Sequence, residues 1–413
     1  MTKPKKSSGR NVEPMVQFVL FAILIVLTPF MVVTRYLQGA VNELSHLKWT
    51  ILGVELPIVM SLALLLFLAV IIWQRREINR RRVSFSLLVV AMLIFSHQIQ
   101  DFYAGFAIYD LQKNWHYAAY AIYVYIFFRT FIRRGLPKQK LILYSFLSAL
   151  GLSVFDEVFQ YFLSHRVFDV SDIAKDSWGA VMGLILVLFV SETYGSTPTK
   201  LTQIWQRNFR DYFTVPVTTL LIVSLFSFLM LVISPLLTDF DLIGYYLLTL
   251  FLVSLSTFFL LHKLQSQLFR KVIMIVFALG ILGIGGSFLA QADQLVSYNR
   301  FGFTFYKGIP IPVFDLIIYP DGYPRLVDKK HFFNNQDKKF LLSCQPNILL
   351  IGSGYSSNGG KGFPVDEGSA FVYNKFTGRG TQVIVLPTSL ACKEFNRLKR
   401  EGKNVLFVIH TSC

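Results

Sequence analysis

Residues 155–183 read FDEVFQYFLSHRVFDVSDIAKDSWGAVMG, a stretch dense in side chains that can hold or move a proton. Asp156, Glu157 and Gln160 stand at i, i+1 and i+4, which puts Asp156 and Gln160 on one helical face. Asp169, Asp172 and Asp176 follow at i, i+3 and i+7, an acidic stripe if the segment is helical, with Arg166 as the nearest cation. Gly179 and Gly183 then make a small-xxx-small step of the kind that lets two helices approach closely. Such carboxylates could act as a general acid and base, or accept hydrogen bonds from a polar ligand. With His116 they could also ligate a metal, but their spacing is not that of a metal motif, so no metal and no cofactor is assigned. Each could equally reach water or pair locally.

The elements that must position these groups are apolar. Of the 413 residues 54% are hydrophobic, and the long runs lie before about residue 290, as lipid-embedded segments require. Spans are expected at residues 15–33, 51–73, from 83 to the polar group His97, Gln98, Gln100 and Asp101, then at 117–131, 141–155, 180–190, 215–237, 245–261 and 272–289. That makes an α-helical polytopic membrane bundle of about nine transmembrane helices. The first run has the length of a full span and lacks a small-residue cleavage pattern, so it reads as an uncleaved span and not a signal peptide.

A net charge of +16 would suggest nucleic acid in a soluble protein, but here the basic residues cluster in short loops between apolar runs, which excludes that reading. Arg75, Arg76 and Arg80 to Arg82 follow the second span, Arg133, Arg134, Lys138 and Lys140 the fourth, and Lys200, Arg207 and Arg210 the sixth, whereas residues 238–244 carry no Lys or Arg. Positive loops face the cytoplasm, so the amino terminus is expected inside a bacterial cytoplasmic (inner) membrane. An odd span count then places the last ~120 residues outside, on the same side as the acidic stretch. Glu55, His97, Asp101, Lys113, His116 and Tyr120 reach that boundary too and could line a shared pocket. The three cysteines, Cys344, Cys392 and Cys413, match no zinc spacing.

The tail reads as a separate small soluble α/β domain. Phe301, Phe303 and Phe305 alternate as in a half-buried strand, residues 315–319 form a second, and Pro320-Asp321-Gly322 is a turn. Residues 348–351 are a buried strand ending in Gly352-Ser353-Gly354, 382–386 another, and 405–409 the closing one. Residues 388–400 place Ala391, Phe395 and Leu398 on one helical face before Gly402 stops the helix. The Gly-x-Gly could cradle phosphate or simply make a tight turn.

Two family resemblances follow from these residues. Lys113-x-x-His116-x-x-x-Tyr120, with Asp156-Glu157-x-x-Gln160, Arg166, Asp169, Asp172, Gly179 and Gly183, resembles the VanZ-like family of bacterial membrane proteins over about residues 83–190. That resemblance implies a cell-envelope role, with a family name taken from low-level resistance to the glycopeptide antibiotic teicoplanin. Asp176 stands where the family usually has Asn. The segments DLIIYPDG, NILLIGSG and VIVLPTSLACKEFNRLKREGKNVLFVIHTSC resemble, over about residues 298–413, the α/β domain family that includes mitochondrial respiratory complex I assembly factor three. No catalytic residue comes with that second resemblance.

The resulting division is an amino-terminal tail with two spans (1–82), a VanZ-like transmembrane domain (83–190), further transmembrane helices (191–290) and the α/β domain (298–413). The favoured function is non-enzymatic: a pocket at the outer membrane boundary binds a polar ligand. Its candidate residues are Lys113, His116, Tyr120, Asp156, Glu157, Gln160, Arg166, Asp169, Asp172 and Asp176, and Gly179 and Gly183 pack the helices. Expected partners are the lipid bilayer and a cell-wall precursor, a lipid head group or a glycopeptide. The alternative is an intramembrane enzyme or transporter that uses the Asp/Glu/His cluster for proton chemistry or metal binding.

Overall fold

A computed structural model describes residues 12–33, 43–44, 47–51, 54–58, 61–62, 65, 79–100, 111–162, 168–191, 208–234, 243–290, 295–300, 302–312, 314–327, 332–333, 335–355, 357, 359–364, 368–374 and 378–411. These fall into two compact units, one within 1–96, 107–234 and 239–262, the other within 97–106, 235–238 and 263–413.

The first unit is helical. It contains α1 (Val12–Val33), α2 (Arg80–Gln100, whose last residues fall in the second unit), α3 (Leu111–Phe131), α4 (Lys138–Tyr161), α5 (Val170–Ile185), α6 (Pro216–Ile233) and α7 (Ile243–Lys263). Local chemistry sets several helix starts. Pro137 is the N-cap of α4, Pro216 opens α6, where a missing N–H costs nothing, and the Asp169 side chain caps α5 by accepting from the Ser171 N–H at 2.7 Å. The last turn beyond α5, Leu186–Ser191, widens into a π-helix.

Helix α5 is the hub of this unit, with every residue buried except Asp172 and Lys175. Its glycines explain the approach of α3. A Cβ on Gly179 would lie 2.8 Å from the Tyr117 Cα, and one on Gly183 would lie 2.7 Å from the Ala121 Cα, so only glycine fits at either place. The Trp178 indole N–H donates to the Met92 carbonyl of α2 at 3.1 Å, and the Ser177 hydroxyl meets that of Ser227 on α6 at 3.1 Å. On the other side of α3, Phe18 of α1 packs against Tyr123, Phe127 and Phe131. By contrast α7 leaves Leu247, Leu248, Phe251 and Leu252 exposed, an apolar surface suited to lipid.

Among the described residues five helical stretches are long and apolar enough to cross a membrane: Lys138–Tyr161, Val170–Ser191, Pro216–Ile233, Ile243–Lys263 and Gln267–Gly286. This is a multi-pass membrane protein, and five of the expected nine spans are met among the described residues. Helix α1 itself runs 22 residues, Val12–Val33, and is apolar over most of its length. Helix α2 opens on three arginines, and α3 has a polar first turn and a basic residue in its last. Where a second span was expected to begin, Lys48–Ile51 (β1) and Val54–Pro57 (β2) pair as an antiparallel hairpin, and most of the remaining run lies outside the described residues. Trp49, Thr50 and Ile51 favour extended backbone.

The second unit begins with the apolar helix α8 (Gln267–Ala290) and continues as a β-rich region. Strands β3 (Val296–Arg300), β4 (Phe303–Tyr306) and β5 (Ile309–Pro312) form an antiparallel sheet. A six-stranded mixed sheet is built from β6 (Asp315–Ile318), β7 (Pro324–Val327), β8 (Ile348–Gly352), β9 (Ser369–Asn374), β10 (Arg379–Leu386) and β11 (Val405–Ile409), in the order β7-β6-β11-β8-β10-β9. Its centre is parallel, with β8 between β10 and β11, and the outer strands are antiparallel. Strands β6, β8 and β11 are buried throughout, as continuous apolar runs require.

Two helices, α9 (Asn335–Ser343) and α10 (Thr388–Arg400), complete the region. Ala391, Cys392, Phe395 and Leu398 of α10 pack with Leu350, Phe407 and Ile409, while Leu341 of α9 packs with Leu349, Ile351 and Val408. The two helices therefore serve opposite sets of sheet side chains. The turn expected at Pro320-Asp321-Gly322 is present, with Gly322 at φ +83 and its N–H on the Tyr319 carbonyl at 2.8 Å. Past Gly352, the end of β8, the amides are already engaged: the Ser353 N–H donates to the Leu386 carbonyl at 2.8 Å and the Gly354 N–H to the Thr388 hydroxyl at 2.8 Å. A phosphate cradle would need those N–H groups free.

Candidate functional site

The polar residues of α3, α4 and α5 meet inside the first unit. The hairpin from α4 into α5 puts Asp156, Glu157 and Gln160 in the last turns of one helix and Asp172, Lys175 and Asp176 in the first turns of the next. The glycine contacts at Gly179 and Gly183 hold α3 against α5 and bring His116 to the same level.

Asp176 lies at the centre. Its Oδ1 accepts from the His116 Nδ1 at 2.9 Å and its Oδ2 from the Ser153 hydroxyl at 2.6 Å, so one carboxylate joins three helices. Asp172 Oδ2 stands 3.8 Å from the other imidazole nitrogen of His116, and its Oδ1 accepts from Lys175 at 2.8 Å. At the end of α4, the Gln160 amide donates to Asp156 Oδ2 at 3.1 Å and to Glu157 Oε1 at 2.9 Å. Glu157 Oε2 accepts from the Asp169 N–H at 2.9 Å and so ties α4 to the cap of α5. Oriented pairs of this kind are what make charge tolerable at membrane depth.

Two polar atoms in this cluster have no hydrogen-bond partner among the described residues. They are Asp156 Oδ1, on a side chain 7% exposed, and Tyr120 Oη, on one 2% exposed. Tyr120 belongs to α3, and its hydroxyl faces Ser153 and Asp176 without reaching hydrogen-bond geometry to either, with Asp156 also near. A buried acceptor and a buried hydroxyl left open cost about 1–3 kcal/mol each. The cluster can therefore accept a hydrogen bond at Asp156 and exchange one at Tyr120, while His116, Asp176 and Ser153 form a connected path for a proton.

The structure thus brings together His116, Tyr120, Asp156, Glu157, Gln160, Asp169, Asp172 and Asp176. It departs from the expected stripe at Asp169, which turns back as a helix cap, while Asp176 is buried one turn beyond Asp172. Glu55 falls in β2 instead of at a helix end. Arg166, Asp101 and the side chain of Lys113 lie outside the described residues, and among the described cations Lys175 and His116 are the ones paired with the stripe. Lys175 and Ser153 were missed in the sequence. Lys175 follows Asp172 at i+3, a spacing that signals an ion pair, whereas a serine inside an apolar run gives no signal of its partner. No group of three or more His, Cys, Asp or Glu among the described residues could hold a metal ion.

Comparison with known proteins matches residues 56–191 to the VanZ/LLP1 family model, a range that contains α2 to α5 and the whole cluster. That segment is VanZ-like. No curated protein matches the chain. Two solved structures are similar over 29% of this chain and 98% of their own: MT938, at 25% identity and a TM-score of 0.23, and the conserved hypothetical protein PH1505 from Pyrococcus horikoshii OT3, at 22% identity and a TM-score of 0.22.

Proposed function

Starting from a multi-pass membrane protein with a VanZ-like segment, we propose that the α3-α4-α5 cluster binds a polar ligand at the outer face of the bacterial cytoplasmic membrane and thereby lowers susceptibility to envelope-directed, teicoplanin-type antibiotics. The open atoms Asp156 Oδ1 and Tyr120 Oη carry this reading, since a cluster built only to cancel its own charges would leave neither buried and unpaired. A ligand hydroxyl or amine would satisfy both. Such groups are abundant on glycopeptides, cell-wall precursors and lipid head groups.

The side of the membrane follows from charge. Arg80 to Arg82 open α2, Arg133, Arg134, Lys138 and Lys140 lie between α3 and α4, and Lys263, Arg270 and Lys271 lie around the turn from α7 to α8. Basic ends inside put the α4-α5 turn, and the cluster, outside. The same rule places the carboxyl-terminal region, as a soluble domain, outside too.

The Ser153-Asp176-His116 chain favours a second reading, proton-coupled transport or catalysis. Purified protein in detergent, titrated with a teicoplanin-type glycopeptide by calorimetry, separates the two. Saturable binding without turnover supports the binding site. A pH-dependent flux or product in reconstituted vesicles, without glycopeptide binding, would replace it with the second.

A further inference from the structure

The carboxyl-terminal region holds a second arrangement of titratable groups. Strand β6 runs antiparallel beside β11, with Leu316 opposite Ile409, so Asp315 at the start of β6 meets His410 just past the end of β11. His410 Nδ1 lies 2.6 Å from Asp315 Oδ2, while Asp315 Oδ1 accepts from the Thr411 N–H at 2.8 Å and the Thr411 hydroxyl at 3.1 Å. A carboxylate only accepts, so the imidazole proton sits on Nδ1 and Nε2 presents a lone pair. The ring is fixed further through its backbone, with the His410 N–H on the Gly352 carbonyl at 3.1 Å and the Thr388 hydroxyl on the His410 carbonyl at 2.7 Å.

Asp315, His410 and Thr411 are each 0% exposed, and Nε2 has no hydrogen-bond partner among the described residues. This orphan acceptor stands where the parallel strands β8, β10 and β11 all end, the edge at which open α/β sheets take ligands. Among the described residues Gly359 covers part of the ring, since a Cβ there would lie 2.8 Å from His410 Cδ2, and the Phe333 ring packs on it at 6.0 Å between centroids. Anions are a poor fit because the adjacent Ser353 and Gly354 amides are already bonded, and the described residues offer no metal-ligand group.

We propose that Asp315 and His410 form a proton-accepting site for a small neutral ligand with an N–H or O–H donor, which bonds His410 Nε2 after displacing Gly359 from the ring. Asp315 is a positioning residue here, setting the tautomer and ring angle. The test is carbethoxylation of His410 by diethyl pyrocarbonate in the full chain in detergent, followed by peptide mass spectrometry. The lone pair of Nε2 attacks a carbonyl carbon of the reagent, ethyl carbonate leaves, and the Nδ1 proton passes to Asp315, leaving the neutral N-carbethoxyimidazole. We expect His410 to react in the folded protein, acetamide to slow the reaction, and N,N-dimethylacetamide, which has no N–H, to leave it unchanged. Asp315→Asn should slow modification about tenfold, because an amide that donates to Nδ1 moves the ring proton to Nε2. If that variant does not melt cooperatively, the amide pair on the unmutated chain decides. A His410 that reacts only after denaturation, or one on which both amides act alike, would overturn the proposal.

Discussion

Asp176 and His116, 60 positions apart in the chain, meet at 2.9 Å and tie α5 to α3. Because Ser153 donates to the other oxygen of the same carboxylate, removing Asp176 strands the buried Ser153 hydroxyl and the half-buried His116 at once. Asp176→Ala should cost about 3–5 kcal/mol, the usual price of breaking a buried charged pair, and Ser153→Ala about 1 kcal/mol. Asp176→Asn keeps a carbonyl acceptor and should fall between them. Thermal melts of the purified variants in one detergent give the order; equal melting points for all three would contradict this contact map.

The glycine contacts make a separate claim about packing. Gly183→Val puts atoms where the Ala121 backbone already stands, and Gly179→Val does the same against Tyr117. Each should destabilise the first unit by about 1–3 kcal/mol through overpacking. Gly151 of α4 has open space around its Cβ position, so Gly151→Ala should be neutral or slightly stabilising in the same melt.

How far the sequence foretold this depended on whether a pattern was local. The strands at 348–352 and 405–409 were legible because each is a short apolar run bounded by turn residues, and the helix at 388–400 because its apolar spacing matches the buried Ala391, Phe395 and Leu398. Gly179 and Gly183 announced a close approach without naming the partner, which turned out to be Tyr117 and Ala121. The roles of Ser153 and Lys175 were not legible, since both depend on how α4 folds back along α5. Residues 51–57, expected to open the span at 51–73, lie in the hairpin instead, because Ile51, Val54 and Leu56 contribute apolar character in either conformation.

Burial pushes the Cys392 thiol up to about 12. The folded state therefore keeps this thiol neutral where the unfolded chain, near its ordinary value of 9.0, has begun to lose the proton. The stabilising contribution is complete below about pH 9 and is lost as pH rises toward 12. We expect the melting temperature of the carboxyl-terminal region to fall above pH 9, and less steeply in Cys392→Ala. Identical pH profiles would show that burial of Cys392 is not linked to folding.

Orientation can be read with exposed positions at the two ends of one helix. Phe162, just beyond α4, is 77% exposed, and Arg134, just before it, is also exposed. In intact cells an impermeant maleimide should label Phe162→Cys and not Arg134→Cys, with the labelled peptide identified by mass spectrometry. The reverse pattern would put the cluster inside.

The central claim concerns the two open atoms of the cluster, Asp156 Oδ1 and Tyr120 Oη. Removing a buried polar group that has no partner is neutral or stabilising when the group serves only structure. Tyr120→Phe deletes one such group, Asp156→Asn changes the other while keeping its shape, and Glu43→Gln, at an exposed position, serves as the control. The decisive measurement is susceptibility to a teicoplanin-type glycopeptide in bacteria that express each variant at equal membrane level, read beside its melting temperature. The ligand-binding account predicts that Tyr120→Phe and Asp156→Asn melt at or above the unmutated chain yet lose its protection, while Glu43→Gln keeps it. Full protection from both cluster variants would contradict it.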